Sequence, residues 1–277
     1  MWVVSSNKKI AYTNASSSTA EGDKSVRNSC WICRLLLAVY VCLLATSVNA
    51  GPEDKVVLLT ENYPPFNMST NKKNFARGDN ITGLSTEIVR EMFKRANINY
   101  SLTLRFPWKR IFRLTLEKPN YGLFSTTRTP EREDLFKWVG PLVVNKWVFL
   151  AKPDSEIKLT KLDDAKQLRV GGYKGDALAN YLESVGFQII TSFRDNENAV
   201  KLMSDKIDLW ASGHLSGVYF ASQEGIVGLK PLLTFKKTEM YLAFNKETPG
   251  RITRALQQAL DNMIKDGTYD LLARRYL

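Results

Sequence analysis

One histidine, His214, and three cysteines, Cys30, Cys33 and Cys42, are the chain's whole stock of the side chains that most often do covalent or metal chemistry. All three cysteines fall within the first fifty residues. Beyond that point no Cys/His zinc set and no Cys–His nucleophile pair can be built, and a Ser–His–acid triad would rest on His214 alone. Binding therefore leads over catalysis, and no enzyme activity, cofactor or metal is expected. His214, just past a strand end, reads first as a polar group with a local partner and only second as a switch.

The richest polar stretch is FSTTRTPERED, 124–134. Thr129 can act as an N-cap and Pro130 suits the first helical position. Glu131, Glu133 and Asp134 would fill the first turn, so a helix is expected to start here. A guanidinium at Arg132, beside free backbone N–H groups, suits a carboxylate, which arginine grips in a bidentate fork. The plainer alternative is a surface arginine paired with the neighbouring acids. Ser125 and Thr127 end the preceding strand, where open α/β sheets place ligands; turn and capping chemistry is their alternative. Tyr63 and Phe66 of YPPF could supply an aromatic wall on a loop stiffened by Pro64 and Pro65, and Trp108 is a further candidate. Each could equally be a half-buried structural aromatic. GGYKGDA, 171–177, is not G-x-G-x-x-G, which excludes a dinucleotide site. The backbone N–H groups of Gly175, Asp176 and Ala177 could still cap an anionic end of a ligand, with Tyr173 facing it.

The elements that would position these residues alternate between strand and helix. Short apolar or alternating runs predict strands at 55–60, 100–106, 121–125, 169–172, 187–192, 207–212 and 240–246, with extended chain at 135–139 and 146–152. Leu84, Ile88, Val89, Met92, Phe93 and Ala96 recur at three and four and predict a helix over 83–98. Further helices are expected at 107–118, 176–185, 197–205 and 214–223, and two more close the chain. Such alternation implies an α/β fold with mostly parallel sheets covered by helices on both faces. The extended stretch near 140–152 and the strand near 240 lie roughly 90 residues apart. They could be two crossings between two lobes, one of residues 51–147 plus 241–277 and the other of 148–240; a single large α/β domain is the alternative on length.

Residues 35–45, LLLAVYVCLLA, follow Arg34 and precede TSVNA. A charged flank, a short apolar core, and Val48 and Ala50 at the −3 and −1 positions describe a secretory signal peptide cleaved after Ala50. A transmembrane helix needs ~20 apolar residues, so an uncleaved anchor is the weaker reading. The segment before it is Ser/Asn/Lys-rich and long for such a leader, which suggests a later start, with Val26 a candidate. The whole chain has 277 residues with 39 Lys and Arg against 28 Asp and Glu. Removing residues 1–50 takes five basic and two acidic residues with it and leaves a net charge of +8 and no cysteine. An exported chain without disulfides must be held by its core. The basic residues are scattered without a run, so no nucleic-acid surface is expected.

Four segments resemble one family: ENYPPFN (61–67), ITGLSTEIVREMFKRANI (81–98), FSTTRTPEREDLFKWVGPL (124–142) and LAFNKETPGRITRALQQALDNMIKDGTYDLLARRYL (242–277). In wording and order they are similar to the bacterial extracellular solute-binding proteins of the polar amino-acid type, which feed ABC importers in the periplasm. The resemblance implies a periplasmic-binding-protein-like fold: two α/β lobes joined by two β crossovers around a ligand cleft. It implies a monomer that binds a carboxylate-bearing small molecule and docks on an ABC permease. Arg132 matches the family's carboxylate-binding arginine, Ser125 and Thr127 its ligand-contacting Ser/Thr, and Tyr63 a tyrosine that lies against the ligand.

One position departs from that pattern. The family's amino-acid binders carry an Asp a few residues after the strand that here reads IDLWAS, and it pairs with the ligand's ammonium. That position falls near Gly213, while Asp208 is too early and reads as structural. Glu61 could supply the missing anion, or the ligand lacks an α-ammonium. In the latter case Arg128 would favour a doubly anionic or larger ligand; the alternative for Arg128 is a solvent-facing side chain. Two other functions fit the same scaffold. One is a dehydratase for cyclohexadienyl carboxylates with Glu61 as general acid. The other is a sensory module read by a membrane partner.

Overall fold

The computed structural model describes residues 55–276. The cysteines, the apolar run and the expected cleavage point after Ala50 lie outside the described residues. Among the described residues no helix is long and apolar enough to cross a membrane.

The first strand, β1 (Val56–Thr60), is apolar on nearly every position because both its faces are covered. Two short strands, β2 (Met68–Ser69) and β4 (Ile81–Thr82), pair with each other, and β3 (Phe75–Arg77) lies between them in the chain. The stripe read from the sequence becomes α1 (Leu84–Ala96), which buries Leu84, Ile88, Val89, Met92 and Phe93. Then come β5 (Tyr100–Arg105), α2 (Trp108–Glu117) and β6 (Tyr121–Thr127). A long strand, β7 (Lys137–Ala151), leads into β8 (Val170–Tyr173), α3 (Ala177–Ser184), β9 (Ile189–Ser192), α4 (Asn196–Met203), β10 (Leu209–Gly213) and α5 (His214–Gln223). A second long strand, β11 (Lys230–Phe244), returns to α6 (Gly250–Lys265) and α7 (Thr268–Ala273).

Nine strands form one sheet in the order β3-β5-β1-β6-β11-β7-β10-β8-β9. The expectation of a mostly parallel sheet holds only at its two ends. There β5, β1 and β6 run parallel, as do β10, β8 and β9. In the middle β6, β11, β7 and β10 are antiparallel neighbours. The reason is β7 and β11 themselves: each is 15 residues long, and they pair along most of that length. The sequence shows β7 as two extended pieces, separated by Gly140 and Pro141. These two residues fall in an irregular step of the ladder, between Val139 and Val143, where a proline's missing N–H is tolerated.

The apolar core comes in pieces. The largest draws on residues from Val56 to Val143 and again from Met240 to Leu272. Two others lie wholly within 147–235, one around Trp147, Phe149 and Leu182, the other around Leu150, Leu202 and Trp210. Each fully buried large apolar side chain contributes ~1.5–3 kcal/mol relative to exposure.

Candidate functional site

The C-terminal ends of β1, β6, β8, β9 and β10 converge on one cleft, as open α/β sheets dictate for ligand sites. Its walls include Glu61, Tyr63, Trp108, Ser125, Thr127 and Arg132 on the β1–β6 side. Tyr173, Asp176, Arg194, Asp195, Ser212 and Gly213 face them from the β8–β10 side.

Arg132 follows β6 on a short 3-10 segment, Pro130–Leu135, rather than on the expected α-helix. The Thr129 side chain makes no capping bond there. Arg132 is 9% exposed. Its guanidinium donates to the Thr127 carbonyl at 3.3 Å and lies over the Phe112 and Trp108 rings, 5.1 and 6.0 Å from their centroids. It forms no ion pair among the described residues; Glu133 instead takes Arg128. Burial pushes the Arg132 pKa down, and the nearby Asp176 and Glu131 charges oppose that shift. A buried guanidinium with one hydrogen bond keeps most of its five donors for something that enters the cleft.

Beside it, Ser125 sits in the left-handed region at φ 57, inside the strand, where a non-glycine residue is strained. That turn aims its hydroxyl at Asn67 Oδ1, and Asn67 Nδ2 in turn donates to the Glu61 backbone carbonyl. The Glu61 carboxyl is itself buried. It accepts from the Tyr173 hydroxyl at 2.9 and 3.1 Å, and that hydroxyl receives the free N–H of Trp108 at 3.4 Å. Burial raises the Glu61 pKa to about 8; the Tyr173 hydrogen bond only partly offsets this. The Tyr173 hydroxyl is pushed well up by burial and by the adjacent Glu61.

The other wall carries two more acids. Asp195 accepts from Trp210 Nε1 at 2.9 Å, Ser212 Oγ at 2.9 Å and Asn198 Nδ2 at 3.2 Å. Burial raises its pKa to about 6 against these donors. Asp176 caps α3 through the Ala177 N–H at 2.8 Å; burial raises its pKa while Arg132 lowers it.

A family model described as "Bacterial extracellular solute-binding proteins, family 3" matches residues 56–277. The chain belongs to this family. Its solved relatives in shape are distant. A histidine kinase sensor domain with similarity to periplasmic binding proteins superimposes with a TM-score of 0.71 at 16% identity, covering 80% of this chain and 96% of that one. The arginine-, lysine-, histidine-binding protein ArtJ from the thermophilic bacterium Geobacillus stearothermophilus gives 0.68 at 18%, covering 80% and 95%. The ancestral amino acid-binding protein AncCDT-1, a precursor of cyclohexadienyl dehydratase, gives 0.63 at 19%, again over 80% and 95%. At such identities the likeness shows the fold alone. No curated protein sequence matches the chain.

Within this solute-binding protein the cleft gathers Arg132, Ser125, Thr127, Tyr63, Trp108, Tyr173, Asp176, Glu61 and Gly213 from the residues singled out in the sequence. Five others stand elsewhere. Phe66 is 1% exposed in the main core. Its backbone carbonyl accepts from Ser85 at the start of α1, and its ring supports Tyr63 from behind, 5.9 Å between centroids. Gly175 turns the chain at φ 79 but does not line the cleft. The Ala177 N–H is occupied by the Asp176 carboxylate, so these backbone groups meet an acid of their own chain first. Arg128 points to the outer face, bound to Glu133 and stacked over Trp138 and Tyr241. His214 opens α5 half-buried and is not among the cleft residues.

Gly213 explains the missing aspartate. A Cβ added there would stand 2.2 Å from the Tyr63 hydroxyl and 3.0 Å from Asn145 Oδ1. Tyr63 accepts from Asn145 Nδ2 at 2.9 Å, and that pair fills the space an aspartate would need. This wall also carries Asp195, which sequence reasoning overlooked. It follows the end of β9, and the strand-end rule applied to β6 would have found it. Asn67, Asn145 and Trp147 were also overlooked, because isolated polar or aromatic residues carry no spacing signal.

Proposed function

We propose that this protein captures a small carboxylate-bearing solute, an amino acid or a derivative of one, outside the cytoplasm and hands it to an ABC permease. The observation that carries the reading is Arg132: nearly buried, bonded only to one carbonyl, and open to the cleft. Ser125 and Thr127 stand beside it. In this reading Asp195 pairs with the ligand's ammonium. No catalytic residue is required, and a single chain suffices. The signal-peptide reading supports export to the periplasm with cleavage after Ala50.

Closure follows from the two long strands. In this proposal lobe 1 is 51–147 plus 241–277, lobe 2 is 148–240, and β7 and β11 are the hinge between them. The cleft's cavity is about 80 Å³. A benzene-sized guest occupies a cavity of roughly 150 Å³, so an amino acid enters only when the walls part. Ladder irregularities at Thr234/Lys236 and Met240/Leu242 bracket the regular stretch 236–240 and suit a bend there.

The test is a thermal-shift screen of protein stripped of solute by unfolding and refolding, against amino acids, dicarboxylates, peptides and aromatic carboxylates. A solute at 100 times its dissociation constant adds ~2.7 kcal/mol and raises the melting point by a few degrees. The shift must vanish in Arg132→Ala. An unchanged shift in that variant removes the arginine from the site.

A second reading rests on Glu61. A cleft carboxyl with its pKa near 8 is protonated at neutral pH, which is what a general acid needs. Turnover of prephenate by the purified protein, abolished in Glu61→Gln, would make it a dehydratase.

A further inference from the structure

Two tyrosines cross the cleft in opposite directions. Tyr173 ends β8, and its hydroxyl reaches the β1–β6 wall. There it meets both oxygens of the Glu61 carboxyl at 2.9 and 3.1 Å and accepts the Trp108 N–H at 3.4 Å. Trp108 opens α2, so its N–H has no partner within its own helix. Tyr63 starts from the loop after β1, and its hydroxyl reaches the opposite side. It accepts from Asn145 Nδ2 of β7 at 2.9 Å, tight against Gly213 of β10.

Both side chains are held from behind. The Tyr63 N–H donates to the Asn67 carbonyl at 2.7 Å, its own carbonyl accepts from Phe66 and Asn67 at 3.0 and 3.1 Å, and the Phe66 ring backs it. Tyr173 is paired with Ser192 of β9, and its carbonyl accepts the Asp176 N–H at 3.2 Å. Each hydroxyl is therefore aimed in advance, and little freedom is lost when the walls meet. Gly213 gives an independent sign. Its φ of −67 makes no demand for glycine, yet a Cβ there would stand 2.2 Å from the Tyr63 hydroxyl. What glycine provides at this position is room for a side chain of the other wall. Burial keeps Glu61 protonated, so joining it to Tyr173 takes no bare charge out of water.

Resting on the two-lobe reading above, we infer that Tyr63 and Tyr173 form a reciprocal clasp that holds the two walls together, with Gly213 as the socket for one hydroxyl. The bonds run from protein to protein, so closure does not need a solute to bridge the lobes. Being the same in the filled and the solute-stripped closed forms, they cancel in the affinity and set how often the cleft opens. Solute entry and exit then wait on breaking two contacts far apart in the chain.

The test follows the distance between the walls in solute-stripped protein. Residues 51–277 carry no cysteine, so spin labels go only where they are placed. Lys73→Cys, next to Asn74, and Gln223→Cys are exposed positions on opposite sides of the cleft mouth. Pulsed electron paramagnetic resonance is expected to show one major short distance. Tyr63→Phe/Tyr173→Phe should lower the ratio of short- to long-distance molecules about tenfold or more. Gly213→Ala keeps both tyrosines, should the double variant fail to fold, and is expected to open the cleft by blocking the socket. Hydrogen exchange gives a second readout: the Trp108 amide should exchange at least tenfold faster in Tyr173→Phe. A mainly long distance in the solute-stripped wild type overturns the inference, as does a double variant as closed as the wild type. An unmoved Gly213→Ala overturns the socket, and unchanged Trp108 exchange overturns the Tyr173 half. None of these results touches solute capture, which the thermal-shift screen decides; a screen without a shift defeats capture and leaves the clasp to the measured distances.

Discussion

The two walls of the cleft treat charge in opposite ways. On the β8–β10 side the acids are tied into the protein: Asp195 by three side-chain donors, Asp176 by the start of α3. On the β1–β6 side the one lasting charge is left short: Arg132 has a single hydrogen bond, while burial keeps Glu61 protonated beside Tyr173. A charge whose partners are built in is oriented in advance and changes little when a ligand arrives. A buried charge without partners raises the free energy of the empty state, and the ligand recovers that difference. In the proposed function the β1–β6 wall, through Arg132, would carry the affinity, and the β8–β10 wall would supply a fixed frame.

The strongest way to break the contrast is Arg132→Ala. Removing one partner of a buried charge pair costs ~2–5 kcal/mol of binding, about thirtyfold or more in affinity by titration calorimetry. The empty protein should keep its melting point or gain slightly, because an under-bonded buried cation is gone. A drop of several degrees without ligand would show that the guanidinium serves the fold instead.

The next effect is on stability against pH. Glu61 has a folded pKa of about 8 against an ordinary 4.5, so the folded state binds its proton more tightly than the unfolded chain does. The resulting stabilisation is full below about pH 4.5 and is lost as pH rises through 8. Melting points of the wild type should fall over that window more steeply than those of Glu61→Gln. Identical slopes would place Glu61 in water.

Gly213→Asp sharpens the account of the other wall. Gly213 has φ −67, so the backbone accepts any residue, and only the 2.2 Å approach to the Tyr63 hydroxyl forbids a side chain. Overpacking of this kind costs ~1–3 kcal/mol, visible as a lower urea midpoint. Adding Tyr63→Phe removes the hydroxyl and should return part of the loss. No recovery in the double variant would mean that Asn145 is the real obstacle.

The smallest effect belongs to Arg128→Ala. This side chain is exposed, paired with Glu133 and outside the cleft, so solute affinity should change less than twofold. A larger change would carry the site onto the outer face.

The periodic elements were legible in the sequence. The stripe of α1 and the apolar runs of β1, β8 and β10 follow from their own side-chain spacing, and the strand-end rule led to Ser125 and Thr127. The length of β11 was not legible. Its first two thirds, KPLLTFKKTE, is too polar to signal a strand and exists because β7 pairs with it. The helix expected after Thr129 failed in the same way: a short 3-10 segment forms where the chain turns directly into β7.

What the sequence determined by itself is the material of the site: one well-placed arginine, hydroxyls at a strand end, an aromatic loop, and no catalytic cysteine or histidine pair. These are local properties of residue type and spacing. Which residues face the cleft was decided by tertiary structure alone. Phe66 is three residues from Tyr63, yet one is core and the other lines the cleft. Asp195 lines the cleft, whereas position 213 has no room for an aspartate, because Tyr63 reaches across from the opposite wall. Burial and donor counts depend on chain segments more than a hundred residues apart, and only folding brings those segments within hydrogen-bonding distance.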